Sequence, residues 1–292
     1  MMIPKEKIKE ACVEILGRSA TQLPMDAVTA LRRGYENETD DVPRMQMKAI
    51  LDNIELAVKT GTPMCQDTGV HIFFVNLGKV GIGGLDSVIN EAVAEATESV
   101  PLRPNAVHPL TRKNPGTNVG VRMPYINYHF SDNDYLEIGV MPKGAGSENM
   151  SRLTMLTPAK GLKGIKEFAL ETMLRAGGKP CPPVIFGLGI GGSADIAMHL
   201  GKQALLRPLG ERHPEEEIAS LEQEILAAIN DLGIGPMGMG GKTTLLGVSA
   251  EYAYCHTASL PVAINIQCWA ARRSIVRMYP DGRVEYPLEV IQ

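Results

Sequence analysis

The chain has 292 residues, 44% of them hydrophobic, so it is long enough to bury a large core, and this composition excludes a disordered chain. The net charge is -4 and no block of Lys and Arg is longer than Arg272 and Arg273, which excludes the basic patches typical of nucleic-acid and membrane-surface binding. The N-terminal residues lack the apolar stretch of a secretory signal and no run of about eighteen apolar residues occurs, so we expect a cytoplasmic protein without membrane spans.

Three amphipathic helices are predicted in the first sixty residues, because apolar side chains recur there at steps of three and four. They cover residues 5–16, ending at Gly17, and residues 25–35 and 43–59. Cys12 falls on the apolar stripe of the first helix, so we interpret it as a core residue. This stretch of about 1–60 forms a helical N-terminal subregion.

The remaining chain alternates between strand-like and helix-like segments. Strands are predicted over 70–77, 135–141, 183–192, 247–254, 261–267 and a closing hairpin over 276–286, and helices over 85–98, after Asn149, over 164–176, from Ser193 and over 215–229. The pattern predicts an α+β fold, with helices around mainly antiparallel sheets in a single domain over 1–292.

The hexapeptide Met64–Gly69 places a thiol, an amide, a carboxylate and a hydroxyl next to one another, directly before the strand predicted over 70–77. A surface turn would use the Asp, Thr and Gly but does not need a cysteine. An ordinary turn whose cysteine points inward remains the alternative to a reactive site.

Two further segments combine glycine with positive charge. The loop 108–118 carries Arg112 among asparagines and threonines, which suits binding of a carboxylate by a guanidinium, although a solvated loop explains the composition equally well. The turn 142–149 holds Lys143 in a glycine-rich segment, where backbone amides can form an anion-binding nest or merely a structural turn.

Glycine-rich segments also suggest nucleotide binding. Gly187, Gly189 and Gly192 match G-x-G-x-x-G after a predicted strand, but the acidic residues about twenty positions on lie in a charged segment before a helix and do not end a second strand. A second segment, 236–243, has proline where a Walker A loop has its first glycine. We therefore discount nucleotide binding at both loops.

Five cysteines are an odd number, spread too thinly for a disulfide framework, and no C-x-x-C pair indicates a structural zinc site or a ferredoxin-type cluster. Three of them, Cys65, Cys181 and Cys268, lie at the edges of predicted strands. Three single thiolates could hold an iron–sulfur cubane by three irons and leave the fourth iron open for an oxygen substrate. The spacing alone leaves this open.

Four separated motifs resemble those of the iron–sulfur hydro-lyases of the class I fumarase and tartrate dehydratase type. They are the segments 65–69 and 143–149, Cys181 before the glycines 187–192, and Cys255-His256-Thr257 before Cys268. The resemblance implies a [4Fe-4S] cluster held by Cys65, Cys181 and Cys268. It also implies that Cys255 and the loop around Gly240–Lys242 are structural. The positions that it places at the substrate are Gln66, Asp67, Arg112, Gly144 and His256.

The resemblance also concerns partners and reaction. Single-chain members of this family carry a further C-terminal domain, so this sequence resembles the α subunit of an enzyme with a separate β subunit, with two copies of each chain as the simplest assembly. It implies reversible hydration of a small dicarboxylate, fumarate, to (S)-malate, with Asp67 and His256 as acid–base candidates. The alternatives are an L-tartrate dehydratase α subunit, a cluster scaffold without catalysis, and a nucleotide-binding protein using Gly187–Gly192.

Overall fold

The computed structural model describes residues 2–100 and 102–291 and confirms the α+β prediction. The α-helices are α1 Lys5–Thr21, α2 Met25–Asn37, α3 Asp41–Thr60, α4 Leu85–Ser99, α5 Ala145–Glu148, α6 Gly161–Ala176, α7 Ala194–Ala204 and α8 Glu216–Asn230. The strands are β1 Val70–Leu77, β2 Tyr125–Phe130, β3 Leu136–Lys143, β4 Arg152–Leu156, β5 Val184–Gly191, β6 Leu245–Ala253, β7 Leu260–Gln267, β8 Ser274–Met278 and β9 Val284–Glu285. None of the described helices is long and apolar enough to cross a membrane.

The chain divides into two compact units. The first unit consists of Met1–Met25, Asn53–Gly144 and Arg272–Gln292, and the second of Asp26–Asp52 and Ala145–Ala271. Whether 1–292 acts as one cluster-binding domain stays a prediction.

The first unit is built on a five-stranded sheet with the strand order β2-β1-β3-β8-β9. Strand β1 pairs in parallel with β2 and antiparallel with β3. One apolar core combines buried side chains of α1 and α4 with those of β1, β3 and β8. Because β1 and β3 are antiparallel, Val70 at the start of β1 lies opposite Lys143 at the end of β3. The hexapeptide before β1 and Gly144 after β3 therefore meet at one edge of the sheet.

The sequence predicts that helix α1 ends at Gly17, but in the structure the helix continues to Thr21. Leu16 and Ala20 are both buried, so the apolar stripe continues past the glycine. A Cβ on Gly17 would lie 3.6 Å from a methyl group of Val100, which is an ordinary packing distance. Burial of the following turn thus outweighs the low helix propensity of glycine, about 1 kcal/mol relative to alanine.

The second unit contains a four-stranded sheet with the strand order β4-β7-β5-β6. Strand β7 is antiparallel to β4 and β5, and β5 is parallel to β6. Helix α7 packs so closely on β5 that a Cβ on Gly187 would lie 1.9 Å from the carbonyl oxygen of Gly201, and one on Gly189 would lie 1.9 Å from that of Ala197. These two glycines are therefore required for close packing of helix on strand, which supports discounting them as phosphate contacts.

Backbone amides of the segment 236–243 bind a side chain of the protein itself. Glu38 is buried, and its carboxylate accepts hydrogen bonds from the backbone N–H of Lys242 and of Thr243, at 3.0 and 2.7 Å. The backbone amides that a Walker A loop would direct at phosphate are thus directed at an internal carboxylate. The prediction that the loop around Gly240–Lys242 is structural agrees with this geometry.

Two strands were not predicted, and one predicted helix is wrong. A helix was expected after Asn149, but a four-residue helix precedes this residue and β4 follows it. Strand β4 has only 5 residues and pairs with β7, which is distant in sequence. Strand β2 lies at the edge of its sheet, and most of its residues are exposed, so it lacks the apolar run by which a buried strand is recognised.

Candidate active site

The hexapeptide is held rigidly against the first unit's sheet. Gly69 has φ 84°, and a Cβ there would lie 2.7 Å from the backbone nitrogen of Lys143, so both conformation and space demand glycine. The hydroxyl of the buried Thr68 donates to the carbonyl oxygen of Arg103 at 3.2 Å and accepts from the N–H of Arg103 at 3.0 Å. Cys65 follows α3 and precedes Thr68 in the chain, and it is half-buried. Its Sγ lies 3.7 Å from Oε1 of the exposed Gln66.

The Asp67 carboxylate has two differently placed oxygens. Oδ1 accepts hydrogen bonds from the backbone N–H of Gly69 at 3.0 Å and from Nδ2 of Asn105 at 3.3 Å. Oδ2 faces Gly144, since a Cβ on that glycine would lie 3.1 Å from it. The carboxylate is therefore oriented by Oδ1 and presents Oδ2 to the end of β3. Asp67 and Gly144, both assigned to the site by resemblance, lie side by side.

Asn118 organises the loop that carries Arg112. Its Oδ1 accepts from the N–H of Asn105 at 2.7 Å and of Ala106 at 3.2 Å, and its Nδ2 donates to the carbonyl oxygen of Arg103 at 3.1 Å. The first part of the loop is thus fixed against the hexapeptide. Arg112 has φ 59° and is exposed, and its guanidinium makes no hydrogen bond or ion pair with any residue in the ranges 2–100 and 102–291. Within the described part of the chain, the guanidinium therefore has no hydrogen bond or ion pair to the other candidate residues.

Three polar residues in the first unit are not among the predicted site residues: the half-buried Asn105 and the buried His71 and Arg272. Asn105 lies just outside the segment 108–118, Arg272 belongs to a pair of adjacent arginines, and His71 falls within the strand predicted over 70–77. His71 is 1% exposed, and burial together with the nearby Arg272 charge lowers its pKa to about 4. A charged or polar residue at an inward-facing strand position was the available signal for His71.

Two cysteines approach each other in the second unit. Cys181 has φ 56° and precedes β5, while Cys268 directly follows the neighbouring strand β7. The backbone N–H of Trp269 donates to the carbonyl oxygen of Cys181 at 3.4 Å, and Ile185 lies opposite Gln267 in the sheet. Both thiols are half-buried. Their positions at adjacent strand ends agree with the sequence prediction for these two residues.

The remaining cysteines have different environments. Cys12 is fully buried, as predicted, and burial raises the pKa of its thiol to about 12, which makes it a poor source of thiolate. Cys255 is exposed, and its thiol lies 3.2 Å from the carbonyl oxygen of Ser259. Across the described ranges no three His, Cys, Asp or Glu side chains converge as they would on a single metal ion. A cubane has a different requirement, because each thiolate binds its own iron.

His256 lies exposed in the connection between β6 and β7, in the second unit. Its Nδ1 accepts a hydrogen bond from the backbone N–H of Ala258 at 3.1 Å. In the neutral ring the proton must then reside on Nε2. The imidazole is oriented by its own loop and presents an N–H donor at Nε2.

The fold and these segments define a hydro-lyase. A family model described as fumarate hydratase (Fumerase) matches residues 8–277, and the chain belongs to this family of iron–sulfur hydro-lyases. A protein of Methanocaldococcus jannaschii that carries the provisional name L(+)-tartrate dehydratase subunit alpha is 52% identical over 284 residues, which cover 95% of this chain and 100% of the relative. The L(+)-tartrate dehydratase subunit alpha of Escherichia coli is 35% identical over 278 residues, covering 94% of this chain and 92% of the relative. The chain is accordingly a class I hydro-lyase of the α-subunit type.

Proposed function

We propose that this chain is the α subunit of an iron–sulfur L(+)-tartrate dehydratase. The observation that carries the proposal is the near full-length similarity to relatives bearing that name, at 52% and 35% identity. The substrate expected first from the sequence was fumarate, and the names of these relatives favour the alternative, tartrate. Fumarate remains the second candidate, because the matching family model is described as fumarate hydratase.

The donor set fits an iron–sulfur cluster, and we propose Cys65, Cys181 and Cys268 as its ligands. All three thiols are half-buried, in contrast to the fully buried Cys12 and the exposed Cys255. Partial burial allows metal access while limiting bulk water, and each of the three is placed by a rigid segment next to a strand. When bound, the cluster would supply a Lewis acid for the substrate hydroxyl at an iron without a protein ligand.

Dehydration of tartrate removes a hydroxyl group from one central carbon and a proton from the other, and yields the enol of oxaloacetate. We propose Asp67 and His256 as the groups that hold or move protons, at Oδ2 and Nε2 respectively. The support is that each side chain is oriented through its other polar atom, Oδ1 of Asp67 by Gly69 and Asn105, and Nδ1 of His256 by Ala258. Gln66, Arg112 and Gly144 complete the proposed substrate contacts.

We further propose a β subunit as partner, with two copies of each chain in the assembly. The support is the word alpha in the names of the relatives. Part of the charge that binds the two substrate carboxylates is then expected from that partner. The chain alone should fold but turn over poorly.

The test is a dehydration assay on the anaerobically purified, cluster-loaded chain, alone and with its β subunit. Formation of oxaloacetate from L(+)-tartrate by the assembly, and a much lower rate from the lone chain, is the expected result. Rates from the lone chain equal to those of the assembly would refute the two-subunit proposal. Hydration of fumarate with no dehydration of tartrate would replace the main substrate with the second candidate.

A further inference from the structure

Strand β2 forms an open edge of the first unit's sheet. It pairs in parallel with β1 in one register from Ile72 to Leu77, and no strand in the ranges 2–100 and 102–291 pairs with its other side. The strand itself contains no Lys, Arg, Asp, Glu or Pro, and Tyr125 and Phe130 are 52% and 73% exposed. Natural proteins usually protect such an edge with charge, proline or a bulge, because its unpaired backbone groups recruit another strand. An edge without these protections favours a partner strand.

The backbone groups of β2 alternate between its two sides. The N–H of Ser131, directly after the strand, donates to the carbonyl oxygen of Leu77 at 3.0 Å, so this residue is directed at β1. Because successive residues of a strand direct their backbone groups to opposite sides, Asn127 is also directed at β1, whereas Ile126 and Tyr128 are directed at the open edge. An added antiparallel strand would therefore bond to Ile126 and Tyr128 and lie opposite Asn127 without bonding to it.

The sequence of β2 is self-complementary about Asn127. When two copies pair as antiparallel strands about a two-fold axis at this residue, positions equally far from it on either side lie opposite each other. Ile126 of one copy then lies opposite Tyr128 of the other, and these are the two residues whose backbone groups face the open edge. Tyr125 lies opposite His129 in the same way. Opposite residues share one face of a sheet, so each pair can pack.

The two ends of β2 are flanked by charges of opposite sign. Arg122 precedes the strand and is exposed, and its guanidinium makes no hydrogen bond or ion pair with a described residue. Asp132 follows the strand and pairs with Lys79 at 2.9 Å, but 94% of its side chain stays exposed. Arg122 and Asp132 are equally far from Asn127, so the antiparallel arrangement brings each Arg122 toward the Asp132 of the other copy. A parallel arrangement would bring like charges together.

Exposed apolar residues extend this surface beyond the strand. Val121 and Leu110 are 94% and 87% exposed. Pro109 and Thr111, the neighbours of Leu110 in the chain, line a cleft of about 260 Å³ together with Val121. A stable interface buries about 800 Å² on each partner, which is more than the edge of one short strand offers. We therefore expect this loop surface to be covered together with β2.

We propose that β2 is the contact between two copies of this chain, which pair as antiparallel edge strands about a two-fold axis at Asn127. The inference rests on the part of the proposed function that expects two copies of the chain, and it depends on neither the substrate nor the cluster. A second copy fits this edge better than a strand of the β subunit does, because β2 and its flanking residues match themselves in backbone direction, side-chain face and charge. The two five-stranded sheets then join into one continuous sheet.

Disulfide formation on the axis tests the register. Opposite residues that exchange no hydrogen bonds have Cα atoms about 4.5 Å apart, which is within the range of a disulfide. Asn127→Cys, in the full-length chain carrying Cys255→Ser, should therefore give a disulfide-linked dimer with oxidised glutathione, measured by non-reducing electrophoresis. The chain with Cys255→Ser alone gives the background. His129→Cys is the matched control, because it should not link to itself but should link to a chain carrying Tyr125→Cys.

Charge reversal tests the same contact without a cysteine. Light scattering during size-exclusion chromatography should show a dimer of the unaltered chain. Arg122→Glu should raise the Kd of this dimer about tenfold, because acidic groups then meet at both ends of the paired strands. Adding Asp132→Arg to Arg122→Glu should restore the original Kd. Adding Asp134→Arg instead, which alters a neighbouring exposed acid, should restore it less.

Each outcome decides the proposal. A monomeric unaltered chain, or the absence of a cross-link through Asn127→Cys, would overturn it. Binding of the β subunit that is lost when Arg122 is reversed, in a chain that does not pair with itself, would assign the surface to the β subunit and also overturn it. A chain that cross-links through Asn127→Cys but does not dehydrate tartrate would leave this proposal standing and refute only the proposed substrate.

Discussion

The two units bury an arginine in different ways. In the second unit, Arg207 donates from Nη2 to the carbonyl oxygen of Ala250 at 2.6 Å and pairs with the buried Glu222 at 2.8 Å. In the first unit, Arg272 is buried beside a neutral histidine and has no acidic partner among the described residues. Both arginines leave Nε and Nη1 without a hydrogen-bond partner among the described residues, so they differ in the counter-charge: Arg207 forms a direct ion pair with Glu222, whereas the carboxylate nearest to Arg272 across Gly144 is that of Asp67.

The same contrast extends to the glycines and the loops. In the second unit, Gly187 and Gly189 allow α7 to pack closely on β5. The backbone amides of Lys242 and Thr243 bind the internal carboxylate of Glu38. In the first unit, a Cβ on Gly144 would lie 3.1 Å from Oδ2 of Asp67 and 3.5 Å from Nη2 of Arg272, so glycine lets both side chains approach the end of β3 closely. The second unit thus uses its unusual residues for packing, although it also carries Cys181, His256 and Cys268 at its strand ends.

The largest effect is expected at the proposed acid–base residues. Asp67→Asn and His256→Asn should leave the cluster spectrum intact and lower turnover by about two to four powers of ten, the usual scale for acid–base groups. Both kcat and melting temperature are to be measured on the same cluster-loaded assembly.

The structural alternative gives the opposite result. If Asp67 only closes a turn and His256 only orders its loop, stability should fall by about 1–3 kcal/mol and kcat of the surviving enzyme should be unchanged. Unaltered kcat in both variants would remove these residues from the mechanism.

The second largest effect is expected at Arg207, the buried arginine that pairs with Glu222. Arg207→Met should lower the free energy of unfolding by about 3 kcal/mol, because Glu222 is left buried without its counter-charge. Chemical denaturation checks this value. Arg212→Met is the matched control, since Arg212 pairs with Glu216 on the surface at 2.9 Å with both side chains at least 50% exposed, and such pairs contribute about 0–1 kcal/mol. Equal losses in the two variants would contradict the structural role of Arg207.

The smallest effect is the pH dependence caused by His71. Its pKa in the folded chain is about 4, against 6.5 for the free group, so the unfolded chain binds more protons between these values. The contribution of neutral His71 to the free energy of unfolding is therefore fully present above pH 6.5 and is lost as the pH falls toward 4. The loss is about 2 kcal/mol between pH 8 and pH 5. His71→Gln should flatten this part of the profile.

His129, exposed on the neighbouring strand β2, provides the control for that profile. His129→Gln should retain the full loss of stability below pH 6.5, because its ring is in water in the folded chain. An identical pH profile for His71→Gln and the unaltered protein would show that His71 is not the group responsible.

Local signals made most of the fold predictable. The strand 70–77 combines β-branched and aromatic residues between glycines, and the structure has β1 at Val70–Leu77. Strand β4 could not be recognised, because its stability comes from pairing with β7, more than a hundred residues away. Helix α1 passes Gly17 for a similar reason, since burial against α4 is a tertiary effect.

The candidate site likewise contains residues that the sequence predicts and residues that it does not. The resemblance to known motifs singles out Asp67, Gly144 and the pair Cys181 and Cys268, which lie beside strand ends that the local sequence pattern predicts. The roles of Asn105, His71 and Arg272 depend on burial and on neighbours from other segments, which no spacing in the sequence reveals. Buried polar groups of this kind become recognisable only when their hydrogen bonds can be counted.

The central claim is that three of the five thiols hold an iron–sulfur cluster, and the most direct measurement is iron and sulfide content after single substitutions to serine. We predict that Cys65→Ser, Cys181→Ser and Cys268→Ser each lose the cluster, while Cys12→Ser and Cys255→Ser keep it. Cys255→Ser is the cleanest control, because this thiol is exposed and its substitution leaves no cavity. Full retention of iron and sulfide in Cys181→Ser would contradict the assignment.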